Sequence, residues 1–205
     1  LLHFFTLIHD DIMDSDLTRR NMPTLHKRYD ISAAILAGDG IFTISQLILN
    51  GIEKKPAQFL MSYNQAVLEI CEGQALDKDY EGKEDITLDN YNSMVEKKTG
   101  ALLAACCYLP AILAGETEDT INILQKTGKQ LGVAFQIQDD LFEIFGDEAR
   151  MGKSLGSDIL SNNNTAVAIE SRKYSKSEWN VIIEEFDGKN LEIIRKFLVE
   201  NKIKN

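Results

Sequence analysis

The longest stretch of helical periodicity in this sequence runs from Ile121 to Phe145 and ends at Gly146. Its apolar residues recur at helical spacing and share one face of the predicted helix: Ile121, Leu124, Leu131, Phe135, Leu141 and Phe145. Similar patterns cover most of the chain, only three prolines interrupt them, and no convincing period-two alternation predicts a strand. We therefore predict an all-α fold, a helical bundle of about eight helices in one domain over residues 1–205.

Local signals set the expected limits of several helices. A helix is predicted from Leu1 to about Ser15, followed by a polar loop or broken turn that contains Pro23. Pro56 can occupy the first turn of a helix that runs to about Tyr80, and Thr87 is suited to cap the next one. The segment KKTG, residues 97–100, interrupts the pattern that follows Thr87.

Composition excludes several classes of protein. A net charge of −10 argues against a general nucleic-acid surface, because binding phosphates along a backbone needs a basic patch. No run approaches 18 uncharged apolar residues, so we expect no membrane span, and no secretory signal opens the chain. The three cysteines lack the spacing of metal ligands and are expected to be buried free thiols in a reducing cytoplasm.

An acidic cluster lies inside an apolar segment near the start, in the stretch HFFTLIHDDIMDSDLTRR. Asp10 and Asp14 are four residues apart, so they share one face of a helix, and Asp11 lies beside them. His3 is seven residues before Asp10 and falls on the same stripe. Carboxylates at this spacing repel one another, and a hard divalent cation bound by oxygen ligands is the simplest reason for them.

A second acidic cluster lies in the long periodic helix, in FQIQDDLFEIFGDE. Asp139 and Glu143 are again four residues apart, with Asp140 adjacent. Two such clusters can face each other across a bundle core and hold several Mg²⁺ ions with a polyanion between them. Four basic residues lie near the predicted helix ends by the two clusters and could hold the outer oxygens of a diphosphate: Arg19, Arg20, Lys98 and Lys153.

Four blocks of this sequence resemble those of the trans-isoprenyl diphosphate (polyprenyl) synthases. HDDIMDSDLTRR is similar to the first aspartate-rich motif with its paired arginines, and FQIQDDLFEIFGDEARMGKSLGSDI to the second with its trailing GKxxGxD. GQALD and MVEKKTGALL resemble two blocks between them, and all four occur in the family's order. The resemblance implies the isoprenoid-synthase fold, a helical bundle around a central cavity, and a cytoplasmic homodimer.

The resemblance also implies residue roles. Mg²⁺ would be held by Asp10 and Asp14 with Asp11 in support, and by Asp139 with Asp140 and Glu143. The allylic diphosphate would be held by Arg19, Lys98, Thr99, Gln136 and Lys153. The diphosphate of isopentenyl diphosphate would contact His3 and Arg20. Asp10, Asp14, Lys98 and Asp139 would then serve ionisation of the allylic C–O bond, after which isopentenyl diphosphate attacks head-to-tail and a proton is lost.

Three departures from the family pattern bear on activity. The family's N-terminal helices, with the glycine–lysine–arginine block that binds isopentenyl diphosphate, are expected before residue 1 and do not occur in this sequence. Glu143 stands where the family usually has aspartate, and Asn163 stands where it usually has lysine. The departures at Glu143 and Asn163 favour a second hypothesis, a non-catalytic partner subunit of a prenyl synthase, which the two intact aspartate pairs and the paired Arg19 and Arg20 oppose.

Product length and reaction type remain as further expectations. In this family large residues before the first aspartate motif set the floor of the product tunnel, a role that the resemblance gives to Phe5 with Phe4 beside it. Helical arithmetic, in contrast, puts Phe5 nearly opposite Asp10 and Asp14. An aromatic residue there favours a short product, C15 to C20. A terpene cyclase is a third hypothesis, which the second aspartate cluster and the GKxxGxD tail oppose.

Overall fold

A computed structural model describes residues 1–146, 155–188 and 190–203, and about three quarters of these residues are helical. The helices are α1 Leu2–Met13, α2 Leu25–Arg28, α3 Ile31–Leu49, α4 Pro56–Tyr80, α5 Leu88–Val95, α6 Ala101–Ala114, α7 Glu118–Phe145, α8 Ser157–Leu160, α9 Ala166–Glu184 and α10 Glu192–Glu200. A π-helical segment, Glu96–Gly100, joins α5 to α6. The all-α prediction is confirmed.

The ends of several helices follow from local chemistry. Asp30 caps α3 by accepting a hydrogen bond from the backbone of Ala33. Thr87 and Asn90 form a capping box at α5, as the predicted cap requires. Pro56 is the first residue of α4, where its missing N–H costs no helical hydrogen bond.

Three local features differ from the predicted pattern. The polar stretch after α1 contains a two-stranded antiparallel ribbon, β1 Thr18–Arg19 and β2 Met22–Pro23. The KKTG interruption is a π-helical segment rather than a break. The two helices expected around Ala166 and Trp179 form one element with a kink at Ser175.

The chain divides into two compact units, of which the first comprises Leu1–Glu69 and Ala104–Gly128. In this unit α1 packs on α3 at Gly38, where a Cβ atom would lie 2.3 Å from His9 Nε2. The Phe5 ring lies 5.2 Å from the ring of Phe42 in the same interface. The close approach of the two helices therefore depends on a residue without a side chain.

The second unit comprises Ile70–Leu103 and Lys129–Asn205. Its main core surrounds the fully buried Trp179, whose ring lies 5.8 Å from that of Phe197. A smaller core includes Tyr91 and Val95 of α5. Each unit therefore has buried apolar packing of its own, and the single-domain assignment stays a prediction.

Some surface features differ from expectation. Two segments, Ile31–Leu49 and Leu88–Ala114, are long and apolar enough to cross a membrane, although core helices of soluble proteins pass the same test. The expectation of no membrane span therefore stays a prediction. The thiols of Cys71 and Cys106 are free but exposed, so the expectation that they are buried is wrong. Leu131 and Phe135 are also exposed on α7.

Candidate functional site

The first acidic cluster lies at the C-terminal end of α1. Asp10 and Asp11 belong to the last turns of the helix, and Asp14 is the residue that ends it. Asp11 is buried, Asp10 is half-buried and Asp14 is exposed. The helix C-terminus carries partial negative charge, and three carboxylates add to it, so a cation bound there is stabilised.

Arg19 supplies part of that positive charge. Its Nε donates a hydrogen bond to Asp11, and its Nη2 lies 3.3 Å from Asp16 Oδ2 and 3.9 Å from Asp10 Oδ2. Arg19 is the last residue of strand β1 and pairs with Met22 of β2, so the ribbon holds its backbone next to the end of α1.

The tip of this ribbon is a two-residue turn, with φ of 52° at Arg20 and 61° at Asn21. Asparagine tolerates this conformation better than most residues, because its short side chain can hydrogen-bond locally. The turn separates two consecutive arginines, since Arg19 reaches the carboxylates of α1 while the Arg20 guanidinium lies 6.0 Å from the ring of Phe4.

His3 lies beside this second arginine. Burial lowers the pKa of His3 below its ordinary value of 6.5, and the charges of Arg20 and Arg19 lower it further. The His3 ring lies 6.4 Å from that of Phe4. His3, Phe4 and Arg20 therefore lie next to one another. The positive charge of Arg20 makes this group suited to bind an anion.

Phe5 faces a different direction from the carboxylates. Its ring makes an edge contact with His9 at 4.9 Å and a tilted contact with Phe42 at 5.2 Å. Phe5 therefore lies between α1 and α3, while Phe4 is exposed.

The second acidic cluster lies near the end of α7, and its members have different surroundings. Asp139 is half-buried, whereas Asp140 and Glu143 are buried. Asp140 Oδ2 accepts hydrogen bonds from Tyr91 Oη at 2.7 Å and from the backbone N–H of Ala166 at 2.9 Å. Burial raises the pKa of Asp140, although these hydrogen bonds act in the opposite direction.

Glu143 has only 2% of its surface exposed. Its Oε2 accepts a hydrogen bond from the backbone N–H of Gly156 at 3.0 Å, and both carboxylate oxygens contact the Ser157 hydroxyl. Glu143 is therefore not a surface residue. Its carboxylate holds the start of α8 in this structure, and its assignment as a metal ligand stays a prediction.

Lys98 and Thr99 lie in the π-helical segment. Lys98 Nζ is 2.6 Å from Asp77 Oδ2, and the Thr99 hydroxyl donates to Gln136 Oε1 at 3.2 Å. Gln136 Nε2 donates in turn to Asp140 Oδ1 at 3.2 Å. The structure thus connects three of the residues proposed from the sequence: Thr99, Gln136 and Asp140.

Lys153 and Asn163 are the two remaining positions that the sequence singled out. Lys153 lies outside the described residues, so its proposed role has no structural description here. Asn163, at the position where the family usually has lysine, donates through Nδ2 to Asp158 Oδ1 at 3.1 Å.

Sequence reasoning missed Tyr91 and gave Asp77 no specific role. Tyr91 shares a helical stripe with Met94 and Val95, and that spacing indicates only that it faces the core. A buried tyrosine hydroxyl normally needs a partner, but nothing in the sequence identifies Asp140 as that partner.

The donor set indicates which metal would fit. Among the described residues, no three or more His, Cys, Asp or Glu side chains are grouped closely enough to hold a metal ion by themselves. Asp10 and Asp14 offer two carboxylates at the end of α1, and Asp139 offers one on α7. Mg²⁺ is commonly bound by one or two carboxylates plus phosphate oxygens, so these residues fit Mg²⁺ delivered with a diphosphate.

Comparison with known proteins gives one consistent family. The sequence model of the polyprenyl synthetase family matches residues 1–198. The chain is 41% identical over 175 residues to a geranylfarnesyl diphosphate synthase of Natronomonas pharaonis, covering 84% of this chain and 51% of the relative. It is 39% identical over 174 residues to a geranylgeranyl diphosphate synthase of Methanosarcina mazei, covering 83% and 54%.

Solved structures agree with this comparison. The crystal structure of a geranylgeranyl pyrophosphate synthase matches with a TM-score of 0.89 at 31% identity, covering 98% of this chain and 64% of that one. A geranylgeranyl pyrophosphate synthetase from Pyrococcus horikoshii matches with a TM-score of 0.83 at 34% identity, covering 98% and 62%. The chain spans about half the length of the curated relatives it matches.

Proposed function

The chain belongs to the polyprenyl synthetase family, and we propose that it condenses isopentenyl diphosphate with an allylic diphosphate in a Mg²⁺-dependent, head-to-tail prenyl transfer. The product would be a short trans-prenyl diphosphate of C15 to C20, made in the cytoplasm. The observation that carries the proposal is the acidic end of α1, where Arg19 contacts the carboxylates of Asp11 and Asp10.

Mg²⁺, when bound, would supply the positive charge that stabilises the departing diphosphate. Asp10 and Asp14 would hold it at α1, and Asp139 would hold it at α7, with several ions per protein. Asp11 would support this arrangement by holding Arg19, whose guanidinium is suited to two phosphate oxygens at once.

The allylic diphosphate would be held by basic and polar groups of both acidic regions. Arg19, Lys98 and Lys153 provide charge that compensates the leaving group, and Thr99 and Gln136 provide polar contacts. Lys98 forms an ion pair with Asp77 in this structure, so its ammonium group is already oriented by a second carboxylate. Such fixed charges stabilise developing negative charge without the cost of reorganising solvent.

Isopentenyl diphosphate would contact His3 and Arg20. The Arg20 guanidinium is outside the carboxylate cluster and next to the Phe4 ring, which leaves it less neutralised than Arg19. The two consecutive arginines would thus serve two different diphosphates.

A homodimer is part of the proposal. The exposed apolar residues of α3 support it, because a large apolar surface on a helix favours burial against a partner: Ile35, Leu36, Ile44, Leu47 and Ile48. Sedimentation velocity would test this assignment, and a monomer at all concentrations would contradict it.

Product analysis tests the proposed activity. The protein produced from its complete coding sequence is incubated with Mg²⁺, labelled isopentenyl diphosphate and each allylic diphosphate in turn, and the products are separated by chain length. A linear C15 to C20 diphosphate supports the proposal, and a hydrocarbon product would indicate a terpene cyclase. The absence of turnover would favour the non-catalytic partner subunit, which the departures at Glu143 and Asn163 suggest.

The same assay tests the limit on chain length. If Phe5 forms the tunnel floor, replacing Phe5 with Ala gives products longer than those of the unchanged protein. The contacts of Phe5 with His9 and Phe42 offer an alternative role in packing α1 on α3. Unchanged product length with reduced stability would support that packing role and contradict the floor.

A further inference from the structure

Asp140 is a buried carboxylate with several hydrogen-bond donors around it. It is 3% exposed, and it accepts hydrogen bonds from Tyr91 Oη, the backbone N–H of Ala166 and Gln136 Nε2, at 2.7, 2.9 and 3.2 Å. These donors come from α5, α9 and α7, so one carboxylate joins three helices. A carboxylate has about four lone-pair directions, and three of them are occupied.

Gln136 is oriented by this carboxylate. A side-chain amide has a donating end and an accepting end, and an ionised carboxylate can only accept. Nε2 of Gln136 therefore faces Asp140, which leaves Oε1 to accept the hydrogen bond of the Thr99 hydroxyl at 3.2 Å. Reversing the amide would place its oxygen against the carboxylate.

The backbone that carries Thr99 is held by close packing. A Cβ atom at Gly73 would lie 2.2 Å from the backbone nitrogen of Lys98, and one at Gly132 would lie 2.4 Å from Gly100 Cα. The main chain of the π-helical segment is thus fixed by its neighbours, and the Thr99 side chain is fixed by Gln136. π-helical turns inside helices often occur at functional sites.

We infer that Tyr91 and Asp140 are positioning residues, which orient Gln136 and through it the Thr99 hydroxyl toward the allylic diphosphate, and that Asp140 does not ligate Mg²⁺. The inference rests on the proposed function, because it gives Thr99 a substrate contact. Asp139 differs from its neighbour in being half-buried, and it remains the metal-binding carboxylate of this pair.

A double-mutant cycle tests the connection. Tyr91→Phe removes the hydroxyl and keeps the ring, and it is expected to lower kcat/KM for the allylic diphosphate by about tenfold, without changing KM for isopentenyl diphosphate. In a Thr99→Ala background the same change is expected to have no further effect, because the group that it positions is gone. Ser93→Ala, at an exposed residue of the same helix, is the matched control.

Metal dependence provides the second readout. Calorimetry with inorganic diphosphate gives the Mg²⁺ concentration at half-maximal binding, which is expected to be unchanged in Asp140→Asn and raised in Asp139→Asn. Additive effects of Tyr91→Phe and Thr99→Ala, or a raised Mg²⁺ midpoint in Asp140→Asn, would overturn the inference. If the unchanged protein makes no prenyl product, the proposed function fails, while the effects of these variants on diphosphate binding still decide whether Tyr91 acts through Thr99.

Discussion

At the scale of single residues, the buried carboxylate of Glu143 contacts a turn of the backbone. Its carboxylate accepts a hydrogen bond from the Gly156 backbone, and Gly156 has a positive φ of 79°. A Cβ atom at Gly156 would also lie 2.8 Å from the Phe186 ring, so this backbone position is confined on two sides. The carboxylate therefore secures a turn whose conformation few other residues adopt.

Glu143→Gln is predicted to destabilise the protein. The substitution replaces a charged acceptor in the core by a neutral amide, whose Oε1 can still accept a hydrogen bond but whose Nε2 cannot, so we expect a loss of about 1 kcal/mol in the free energy of unfolding. Urea denaturation measures it. Glu116→Gln, the same change at an exposed glutamate, is the matched control and should leave stability nearly unchanged. Unchanged stability of Glu143→Gln together with a raised Mg²⁺ requirement would identify Glu143 as a metal ligand instead.

His3 predicts a pH dependence of diphosphate binding. Because its pKa is lowered below 6.5, His3 is mainly neutral at pH 7, and its protonated form is disfavoured in the folded protein. An anion beside Arg20 and Arg19 would offset their charge and raise the pKa of His3, so binding would take up a proton. Affinity for isopentenyl diphosphate is therefore expected to increase as the pH falls below neutral.

Comparison with His3→Gln isolates this effect from protonation of the diphosphate itself. Affinities are measured by calorimetry between about pH 5.5 and 7.5, and the difference between the two proteins should grow toward low pH. The effect of pH on stability has the opposite sign, because the unfolded chain binds the proton of His3 more readily than the folded protein does. The contribution of neutral His3 to stability is therefore present above the pKa of His3 in the unfolded chain and is lost as the pH falls. Parallel pH profiles for the two proteins would exclude His3 from the binding site.

At the scale of elements, the β1–β2 ribbon depends on two consecutive residues with positive φ. Asn21→Val is predicted to weaken it, because a left-handed conformation costs a residue with a Cβ about 1–2 kcal/mol and β-branching adds to this cost. An energy of that size changes the ratio of formed to unformed turn by about fivefold to thirtyfold. The expected result is a corresponding loss in kcat/KM for the allylic substrate, with Asn21→Gly retaining activity. Equal activity of the two variants would show that the conformation of the turn does not determine the position of Arg19.

The π-helical segment depends on the glycine that it contacts. Gly73→Ala would place a methyl group 2.2 Å from the Lys98 backbone nitrogen, so the segment must shift, and both the melting temperature and the affinity for the allylic diphosphate are expected to fall. Gly40→Ala is the matched control, because no atom lies within 4 Å of its Cβ position. That control should be neutral or more stable, by up to about 1 kcal/mol. A harmless Gly73→Ala would show that the close contact is not required.

Element limits were predictable where local chemistry decides them, and unpredictable where tertiary contacts do. Pro56 and the Thr87 capping box act within a few residues, so their helices begin where the sequence predicts. The π-helical segment instead requires the distant Gly73 and Gly132, and the Tyr91–Asp140 hydrogen bond joins residues 49 positions apart. The acidic residues of both clusters were evident from their spacing, whereas the different burial of Asp139, Asp140 and Glu143 was not.

At the scale of the whole molecule, the chain combines a net charge of −10 with a proposed substrate that is itself an anion. Binding therefore has to rely on local charge, which Arg19, Arg20 and Lys98 provide next to the carboxylates. Mg²⁺ would add the positive charge that these side chains lack. Acidic and basic residues occur together in both regions, and the proposed reaction therefore depends on Mg²⁺.

The release of inorganic diphosphate measures whether the reaction depends on Mg²⁺. The protein is supplied with isopentenyl diphosphate and an allylic diphosphate, and the rate is measured with Mg²⁺ and with a chelator, for the unchanged protein and for Asp10→Asn and Asp139→Asn. We expect release to require Mg²⁺ and to fall by about a hundredfold or more in each variant. Equal rates with Mg²⁺ and with the chelator, or full activity in both variants, would contradict this expectation.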